Sequence, residues 1–261
     1  MLVWPMLSTW NPWFTAVLLN TVLLGVAWLL PKKLLTPAGY LHAWILGVLV
    51  WGCLGWRGYA VVMVYFLVGS AVTRIGMARK EAAGIAEKRS GMRGPENVWG
   101  SALAGTLCAL GILWLSYWNS DGGVWIDLLR LGYVASFSTK LADTTASEVG
   151  KAYGKHTFLI TTLKSVPPGT EGAVSLEGTL AGVAASGAIA LLGWALGLIS
   201  PLFVLLCLVA AFIATNLESV IGATLQSQWD WLTNELVNVI NTVLGAAIAI
   251  ALGLLLQATS A

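Results

Sequence analysis

Eight apolar stretches, each close to the length of a membrane-spanning helix, constrain most strongly what this chain can fold into. They lie at about residues 12–30, 41–56, 58–75, 98–118, 126–149, 173–199, 201–225 and 236–257. A helix of about 20 apolar residues crosses the ~30 Å hydrocarbon core of a bilayer. Because only 10% of the residues are charged, the composition excludes a disordered chain, a nucleic-acid binder and an ordinary cytosolic enzyme. We therefore predict an all-α, polytopic transmembrane bundle of about eight spans, forming a single domain over residues 1–261.

The basic residues divide unevenly between the two sides of such a bundle. Eleven of the 14 fall in connections on one side: Lys32, Lys33, Arg74, Arg79, Lys80, Lys88, Arg89, Arg93, Lys151, Lys155 and Lys164. Only Arg57 and Arg130 fall on the opposite side, and Lys140 lies within a span. Because cytoplasmic loops carry the excess of Lys and Arg, we expect both termini to be non-cytoplasmic. The loops at about 76–97 and 150–172 would then form a cytoplasmic active-site face.

Two further patterns concern packing and the start of the chain. Small residues recur at four-residue spacing, as in Ser101/Gly105 and Gly178/Gly182/Ser186, which predicts close approach of helix backbones. The first 14 residues have neither a basic start nor a small-residue cleavage site, so we expect the chain to be mature from Met1.

The span at 126–149 is too polar along one side to face lipid. At 100° per residue, its polar residues share an arc of about 140°: Lys140, Asp143, Thr144, Ser147, Glu148 and Lys151. A charged group at membrane depth costs about 3 kcal/mol and normally faces a bundle interior or a wet cavity. A Lys140–Asp143 ion pair that only locks helices together is one interpretation. We favour the other, a functional site that faces the cytoplasm.

The loop after this span contains a glycine-rich segment, GTEG at 169–172, followed by a helix expected to begin near Ala173. A helix N-terminus offers free backbone N–H groups and a positive potential to anions. Turns use the same residues, but the nearby lysines and Asp143 favour a phosphate site. The residues expected to bind phosphate or nucleotide are Asn97, Lys140, Ser147, Lys151, Lys164, Gly169, Thr170, Gly172 and Ser175.

The other loop carries six basic and three acidic residues between Thr73 and Ser101. A solvated loop attracted to anionic lipid headgroups is the simpler interpretation. Its glycines indicate a shaped loop instead, and they place Arg93 and Asn97 at the start of the next span, where both can bind an anion.

Carboxylates near or inside the spans are the remaining signal. At such depth a carboxylate is protonated, paired or bound to a metal. Asp143, Glu177 and Glu218 come from three different predicted helices, with Glu148 close to the first. Oxygen ligands suit Mg²⁺, so we predict a magnesium site among these four.

Six motifs occur in an order that resembles the family of phytyl-phosphate kinases of plants and cyanobacteria. They are KEAAGIAE at 80–87, GMRG at 91–94, NVWGS at 97–101, ADTTASEVG at 142–150, GTEG at 169–172 and IGATLQ at 221–226. The stretches 143–155 and 175–182 also resemble the signature of membrane CTP-dependent lipid kinases and phosphatidate cytidylyltransferases. One position departs from the pattern, because Glu218 stands where the resemblance leads us to expect Asp.

The resemblance implies an integral membrane enzyme of the bacterial inner or thylakoid membrane that phosphorylates a prenyl monophosphate to the diphosphate. The donor would be a nucleoside triphosphate, with CTP favoured over UTP or ATP, and the product would serve tocopherol and phylloquinone synthesis. Asp143 would hold Mg²⁺, Lys155 the nucleotide phosphates, and Lys80 and Arg93 the acceptor phosphate or the nucleotide. Neither a nucleic-acid partner nor an oligomeric state is implied.

Three alternatives stay open. A prenol kinase acting on the free alcohol would share nearly every motif, and a cytidylyltransferase forming a CDP-lipid would release pyrophosphate instead of a nucleoside diphosphate. An ion-coupled transporter could use the same intramembrane charges. Against a transporter stand the lack of a visible internal repeat and the grouping of the charges near one face.

Overall fold

The computed structural model describes residues 11–118, 123–226 and 228–260, which are mostly helical. The helices are α1 (Pro12–Leu29), α2 (Pro37–Thr73), α3 (Met77–Ala82), α4 (Pro95–Trp118), α5 (Gly123–Tyr153), α6 (Leu176–Ala195), α7 (Pro201–Ile221) and α8 (Asn234–Ser260). A 3₁₀ turn spans Lys88–Gly91 and a π-helical turn spans Gly222–Gln226. The predicted all-α, polytopic architecture is confirmed. The expectation about the mature start at Met1 concerns residues 1–10, which lie outside the described residues.

The starts of the long helices follow from local sequence. Pro12, Pro37 and Pro201 occupy the first turns of α1, α2 and α7, where a missing N–H costs nothing. The side chains of Asn11 and Thr36 accept hydrogen bonds from backbone N–H groups of the first turns of α1 and α2, satisfying donors that otherwise have no partner.

Within the described parts of the chain, six helices are long and apolar enough to cross a membrane: α1, α2, α4, α6, α7 extended to Gln226, and α8. The predicted count was about eight. One difference is the span at 126–149, which lies in α5; this helix carries six charged residues and is too polar to qualify. The other is that the spans at 41–56 and 58–75 belong to the single helix α2.

Helix α2 folds back on itself at Gly55. This residue has φ 64° and ψ −161° inside the helix, a conformation that glycine adopts without strain. Along a straight helix, Thr36 and Tyr65 would lie about 43 Å apart. Arg93 nevertheless contacts both: its carbonyl accepts from the Thr36 N–H at 3.0 Å, and its Nη1 donates to the Tyr65 hydroxyl at 2.7 Å. The two predicted spans are therefore antiparallel halves of one kinked helix.

Helix α5 lies at the centre of the bundle and packs against α2, α4, α6, α7 and α8. Its contact with α6 is close because the facing residues are small: a Cβ on Gly182 would lie 2.9 Å from the Ala142 carbonyl oxygen. The Ser138 hydroxyl donates to the Ser186 carbonyl at 2.7 Å across the same interface. The predicted close approach of small-residue helix faces is confirmed.

Two loops close one end of the bundle. Arg79 of α3 donates to the Ala152 carbonyl at 2.9 Å and so links the first loop to the end of α5. In the second loop, β1 (Thr157–Leu159) pairs antiparallel with β2 (Ala173–Ser175). The helix expected near Ala173 therefore begins at Leu176, because the preceding three residues are extended. The predicted active-site loops share one end of the bundle, and its cytoplasmic orientation stays a prediction.

Candidate functional site

A polar cavity of about 210 Å³ lies at the loop end of the bundle, between α5, α6, α7, α8 and the loop at 168–174. Ten predicted site residues line it: Lys140, Asp143, Ser147, Glu148, Lys151, Gly169, Thr170, Gly172, Ser175 and Glu218. With Thr144, they include all six polar residues of the predicted arc on α5. The structure thus brings the polar face of α5 and the glycine-rich loop into one site, as the sequence predicted.

A second cavity of about 200 Å³ adjoins the first and is lined by residues of the first loop and the start of α4. Arg89, Arg93 and Asn97 contribute to its wall. The two cavities share Glu87, Lys140, Thr144, Lys151, Asn234 and Asn238. A ligand in either cavity can therefore contact the side chains of Lys140 and Lys151.

The predicted ion pair between Lys140 and Asp143 exists and borders the site. Lys140 Nζ lies 2.5 Å from Asp143 Oδ2 and donates to Asn238 Oδ1 at 2.7 Å. Both charged residues belong to α5, so the pair itself does not lock two helices together. The hydrogen bond to Asn238 of α8 makes that connection.

The opposite wall of the first cavity comes from the end of α7. Glu218 contributes a carboxylate there, beside Asn216 and Thr215. The Thr215 hydroxyl oxygen is buried and has no hydrogen-bond partner among the described residues. Asp143 and Glu218 thus line the cavity from two helices. This oxygen-rich set fits a Mg²⁺ ion, which proteins usually hold through one or two carboxylates together with substrate phosphates.

The structure does not bring together all four carboxylates that the sequence predicts as magnesium ligands, and magnesium binding itself stays a prediction. Within residues 11–118, 123–226 and 228–260, no group of three or more His, Cys, Asp or Glu side chains can hold a metal ion. Glu177 lines neither cavity. Glu148 lines the first cavity, but its carboxylate pairs with Lys80, because the first loop folds against this part of α5.

Lys80 does not occupy the position that a phosphate ligand would need. It is fully buried, donates to the Glu148 carboxylate and to the Thr73 carbonyl at 2.8 Å, and lines neither cavity. Glu148 Oε1 in turn lies 3.5 Å from Lys151 Nζ. Lys80 therefore contacts the site indirectly, through Glu148 of the first cavity and Thr73 of the second.

Two more predicted lysines lie away from the cavities. Lys155 and Lys164 are exposed in the second loop and line neither cavity. Lys164 lies in the segment that connects the two paired strands β1 and β2.

Arg93 and Asn97 are held in place before any ligand arrives. The backbone of Arg93 pairs with Leu34 and Thr36, and its guanidinium stacks 5.4 Å from the centre of the Tyr65 ring. Asn97 Oδ1 accepts from the Gly94 N–H at 2.9 Å and from Arg89 Nη2 at 3.1 Å. Both side chains therefore enter the second cavity from a braced segment.

The glycine-rich loop at 169–172 packs between the end of α7 and the first loop. Gly172 has φ 73°, and a Cβ there would lie 2.5 Å from the Ser219 carbonyl oxygen, at the end of α7. A Cβ on Gly169, whose φ is 87°, would lie 2.7 Å from Ile85 of the first loop. These contacts explain the glycines at both ends of GTEG. Any other residue would be strained at a positive φ, and its Cβ would push the loop away from α7 and from the first loop.

Sequence reasoning missed the contribution of α8. Asn234 and Asn238 line both cavities, and Asn241 continues their spacing as a fully buried residue. Amides at positions i, i+4 and i+7 of an otherwise apolar membrane helix form one polar stripe, because they recur at the helical period. This helical spacing of asparagines is the sequence signal that would have predicted a polar face on α8.

Comparison with known proteins places the chain in a family. A family model described as Integral membrane protein DUF92 matches residues 20–246. No solved structure matches.

Similar proteins occur in cyanobacteria, plants and archaea. The chain is 69% identical to the uncharacterized membrane protein sll0875 of Synechocystis sp. over 239 residues, covering 92% of this chain and 90% of that protein. It is 47% identical to the chloroplastic protein VTE6 of Arabidopsis thaliana over 240 residues, covering 91% and 71%. It is 30% identical to the membrane protein MJ0933 of Methanocaldococcus jannaschii, covering 84% and 86%. The expected plant and cyanobacterial affinity is confirmed.

Proposed function

The chain belongs to the DUF92 family of integral membrane proteins, and we propose that it is a prenyl-phosphate kinase acting in tocopherol synthesis. The enzyme transfers the γ-phosphoryl group of a nucleoside triphosphate, with CTP favoured, to phytyl or a related prenyl monophosphate. The products are the prenyl diphosphate and a nucleoside diphosphate. The site faces the cytoplasm or its equivalent in a thylakoid membrane.

The observation that carries this proposal is the pair of adjoining polar cavities with shared lysines. Two phosphorylated substrates must meet during phosphoryl transfer, and each brings several negative charges. Lys140 and Lys151 line both cavities, and Arg93 lines the second. A site with two compartments and a common positive boundary is suited to bringing a donor and an acceptor phosphate together.

The residues present can account for the reaction. Phosphoryl transfer depends mainly on positioning and on neutralising negative charge. The acceptor is itself a phosphate with a second pKa of about 6, so its attacking oxygen is already ionised at neutral pH. That oxygen forms a bond to the γ-phosphorus while the bond to the β–γ bridging oxygen breaks. No general base is needed, which suits a site whose cavity walls contain no histidine among the described residues.

Individual side chains divide the work of binding. Lys140, held by Asp143 and Asn238, keeps its ammonium group at the boundary between the cavities. Lys151 and the Gly169–Gly172 loop would contact the phosphates in the first cavity, and Arg93 and Asn97 would do so in the second. Asp143 and Glu218 would hold Mg²⁺, which supplies charge neutralisation on the phosphate oxygens when bound.

The test is turnover by the purified protein in detergent with CTP, UTP or ATP and with either phytol or phytyl monophosphate. Parallel reactions contain Mg²⁺ or EDTA. Diphosphate made only from the monophosphate, with release of a nucleoside diphosphate and loss of activity in EDTA, supports the proposal and identifies the donor.

Other outcomes would replace it. Product from free phytol would make the protein a prenol kinase, in which a carboxylate such as Asp143 would have to act as base. Release of pyrophosphate would indicate a cytidylyltransferase. If no donor and acceptor react, the ion-coupled transporter becomes the better explanation of the intramembrane charges.

A further inference from the structure

We propose that the hydrocarbon chain of the acceptor lipid lies in a slot between α6 and α7 and reaches the site sideways from the bilayer. This inference rests on the proposed function and adds the path and the binding surface of the lipid. The slot is the part of the first cavity that extends away from the loops, lined by Thr179, Gly182, Val183, Ser186, Ala211 and Phe212.

The slot begins at the charged site and runs toward the middle of the membrane helices. Its α6 residues span positions 179 to 186 at helical spacing, a rise of about 10 Å. On α7 the cavity wall runs from Ser219 back to Ala211, a rise of about 12 Å. The slot is therefore about two helical turns deep below Glu218.

The polarity of the wall changes along this depth. At the loop end, the α7 wall consists of Asn216, Glu218 and Ser219, whereas at the deep end it consists of Ala211 and Phe212. Gly182 and Ser186 pack against α5, so the α5 side of the slot is closed.

The deep end opens on the lipid-facing surface. Val183 is 38% exposed and Phe212 is 50% exposed, although both line the cavity. Both belong to helices that are long and apolar enough to cross a membrane. Large apolar side chains exposed at such positions face bilayer lipid, so the slot connects the bilayer directly with the site.

The change from a charged to an apolar wall selects the occupant. The charged end of the slot contains Lys140 and Lys151 beside five carboxylates, Glu87, Asp143, Glu148, Glu171 and Glu218. A phosphate headgroup fits this mixed set, because the two lysines and the Mg²⁺ that the proposed function assigns to Asp143 and Glu218 would neutralise its charge, whereas the α7 wall at the deep end is apolar. A prenyl monophosphate has this arrangement of one anionic end and one hydrocarbon chain. A free nucleotide has no group for the apolar end.

The first experiment blocks the slot and compares acceptors of different length. Val183→Trp fills the opening, and Leu191→Trp is the matched control, because Leu191 lies on the same helix, is 51% exposed and does not line the cavity. We expect Val183→Trp to lower kcat/KM for phytyl monophosphate at least about tenfold. Activity on dimethylallyl monophosphate, whose chain ends before Val183, should stay near that of the unmodified enzyme, and Leu191→Trp should change neither. Equal losses on both acceptors, or an equal effect of Leu191→Trp, would overturn the proposal.

A binding experiment keeps the inference separate from the kinase assignment. Phytyl monophosphate carrying a photoreactive diazirine on its chain is cross-linked to the full-length protein in nanodiscs, and labelled peptides are mapped by mass spectrometry. We expect label on α6 and α7, reduced by excess phytyl monophosphate and weakened by Val183→Trp. This result can be obtained even if no phosphoryl transfer is detected. Label confined to other helices, or equal competition by dioleoyl phosphatidic acid, would show that the slot does not select a prenyl phosphate.

Discussion

Two lysine–carboxylate pairs on the same part of α5 have the same chemistry but different surroundings. In the Lys140–Asp143 pair, both residues line the first cavity and the side chains are 7% and 11% exposed. In the Lys80–Glu148 pair, the side chains are 0% and 2% exposed, and Lys80 lines no cavity. The first pair is placed to meet a ligand, and the second fastens the first loop to α5.

The difference shows that two charged pairs of the same chemistry can differ in burial and in access to a cavity within one short segment. Lys140 and Asp143 are three residues apart on one helix, so this ion pair forms without any contact from a loop. Lys80 and Glu148 are 68 residues apart, and their pairing depends on how the first loop packs. The two pairs should therefore respond differently to substitution, and this contrast can be measured.

The largest effect is expected from Asp143→Asn. This substitution keeps the size of the side chain but removes the charge that would hold the metal. We expect kcat to fall by about 10²–10³ or more, by analogy with the loss of other preorganised charge-stabilising groups. Turnover and thermal unfolding in detergent are measured together. Retained turnover would remove Asp143 from the site, and a collapse of stability would place it with Lys80 and Glu148.

Lys80→Met should lower the free energy of unfolding. Removing one partner of a buried ion pair costs about 3–5 kcal/mol, because the other charge remains buried, here with only Lys151 3.5 Å away. The free energy of unfolding is measured by titration with denaturing detergent in mixed micelles. The double variant Lys80→Met/Glu148→Leu should recover much of the loss, since both charges are then gone. Full stability of Lys80→Met together with lost activity would restore Lys80 to the catalytic role expected from sequence.

The cavity boundary predicts which lysines matter for phosphate binding. Lys151→Ala should lower kcat/KM by about 10–100-fold, since a hydrogen bond to a charged group contributes about 1.5–3 kcal/mol. Lys155→Ala and Lys164→Ala, both exposed and outside the cavities, should change it by no more than about twofold. A large effect of Lys155→Ala would mean that the second loop moves over the site when nucleotide binds.

Glu218→Asp should have a smaller effect than Asp143→Asn, Lys80→Met or Lys151→Ala. It keeps a carboxylate on the α7 wall and restores the residue that the family resemblance predicts at this position. We expect a few-fold change in kcat, whereas Glu218→Gln should lower kcat much more because it removes the charge. Steady-state kinetics across a Mg²⁺ titration compares the two variants, and equal losses would show that the length of the side chain matters more than its charge.

Much of the site could be predicted because its residues are close in sequence. The arc on α5 follows from helical periodicity, so Lys140, Asp143 and Ser147 had to share a face once α5 was a helix. The glycine-rich loop lies only about 20 residues later, and the short β-hairpin returns it to the end of α5. Local geometry was enough to join these parts.

The parts that sequence reasoning misplaced depend on contacts between distant segments. Lys80 pairs with Glu148 instead of a phosphate because the first loop packs against α5. Glu177 lies in the first turn of α6, whose small-residue face packs against α5. Helix spacing alone does not say which face of α6 borders a cavity. The span count differed for two reasons: α5 is too polar to qualify as a span, and Gly55 lets α2 fold back on itself within one apolar run.

The sequence by itself determined that this protein is a helical membrane bundle with a charged face on α5. Hydrophobic length and helical periodicity are local properties, and the cost of placing charge in lipid leaves few ways to satisfy them. Only the tertiary structure decided which charges are open to a ligand and which are sealed in ion pairs. That choice depends on whether a neighbouring helix or loop fills the space beside each side chain. Lys80 of α3 fills the space beside Glu148, whereas the space beside Asp143 stays open as the first cavity.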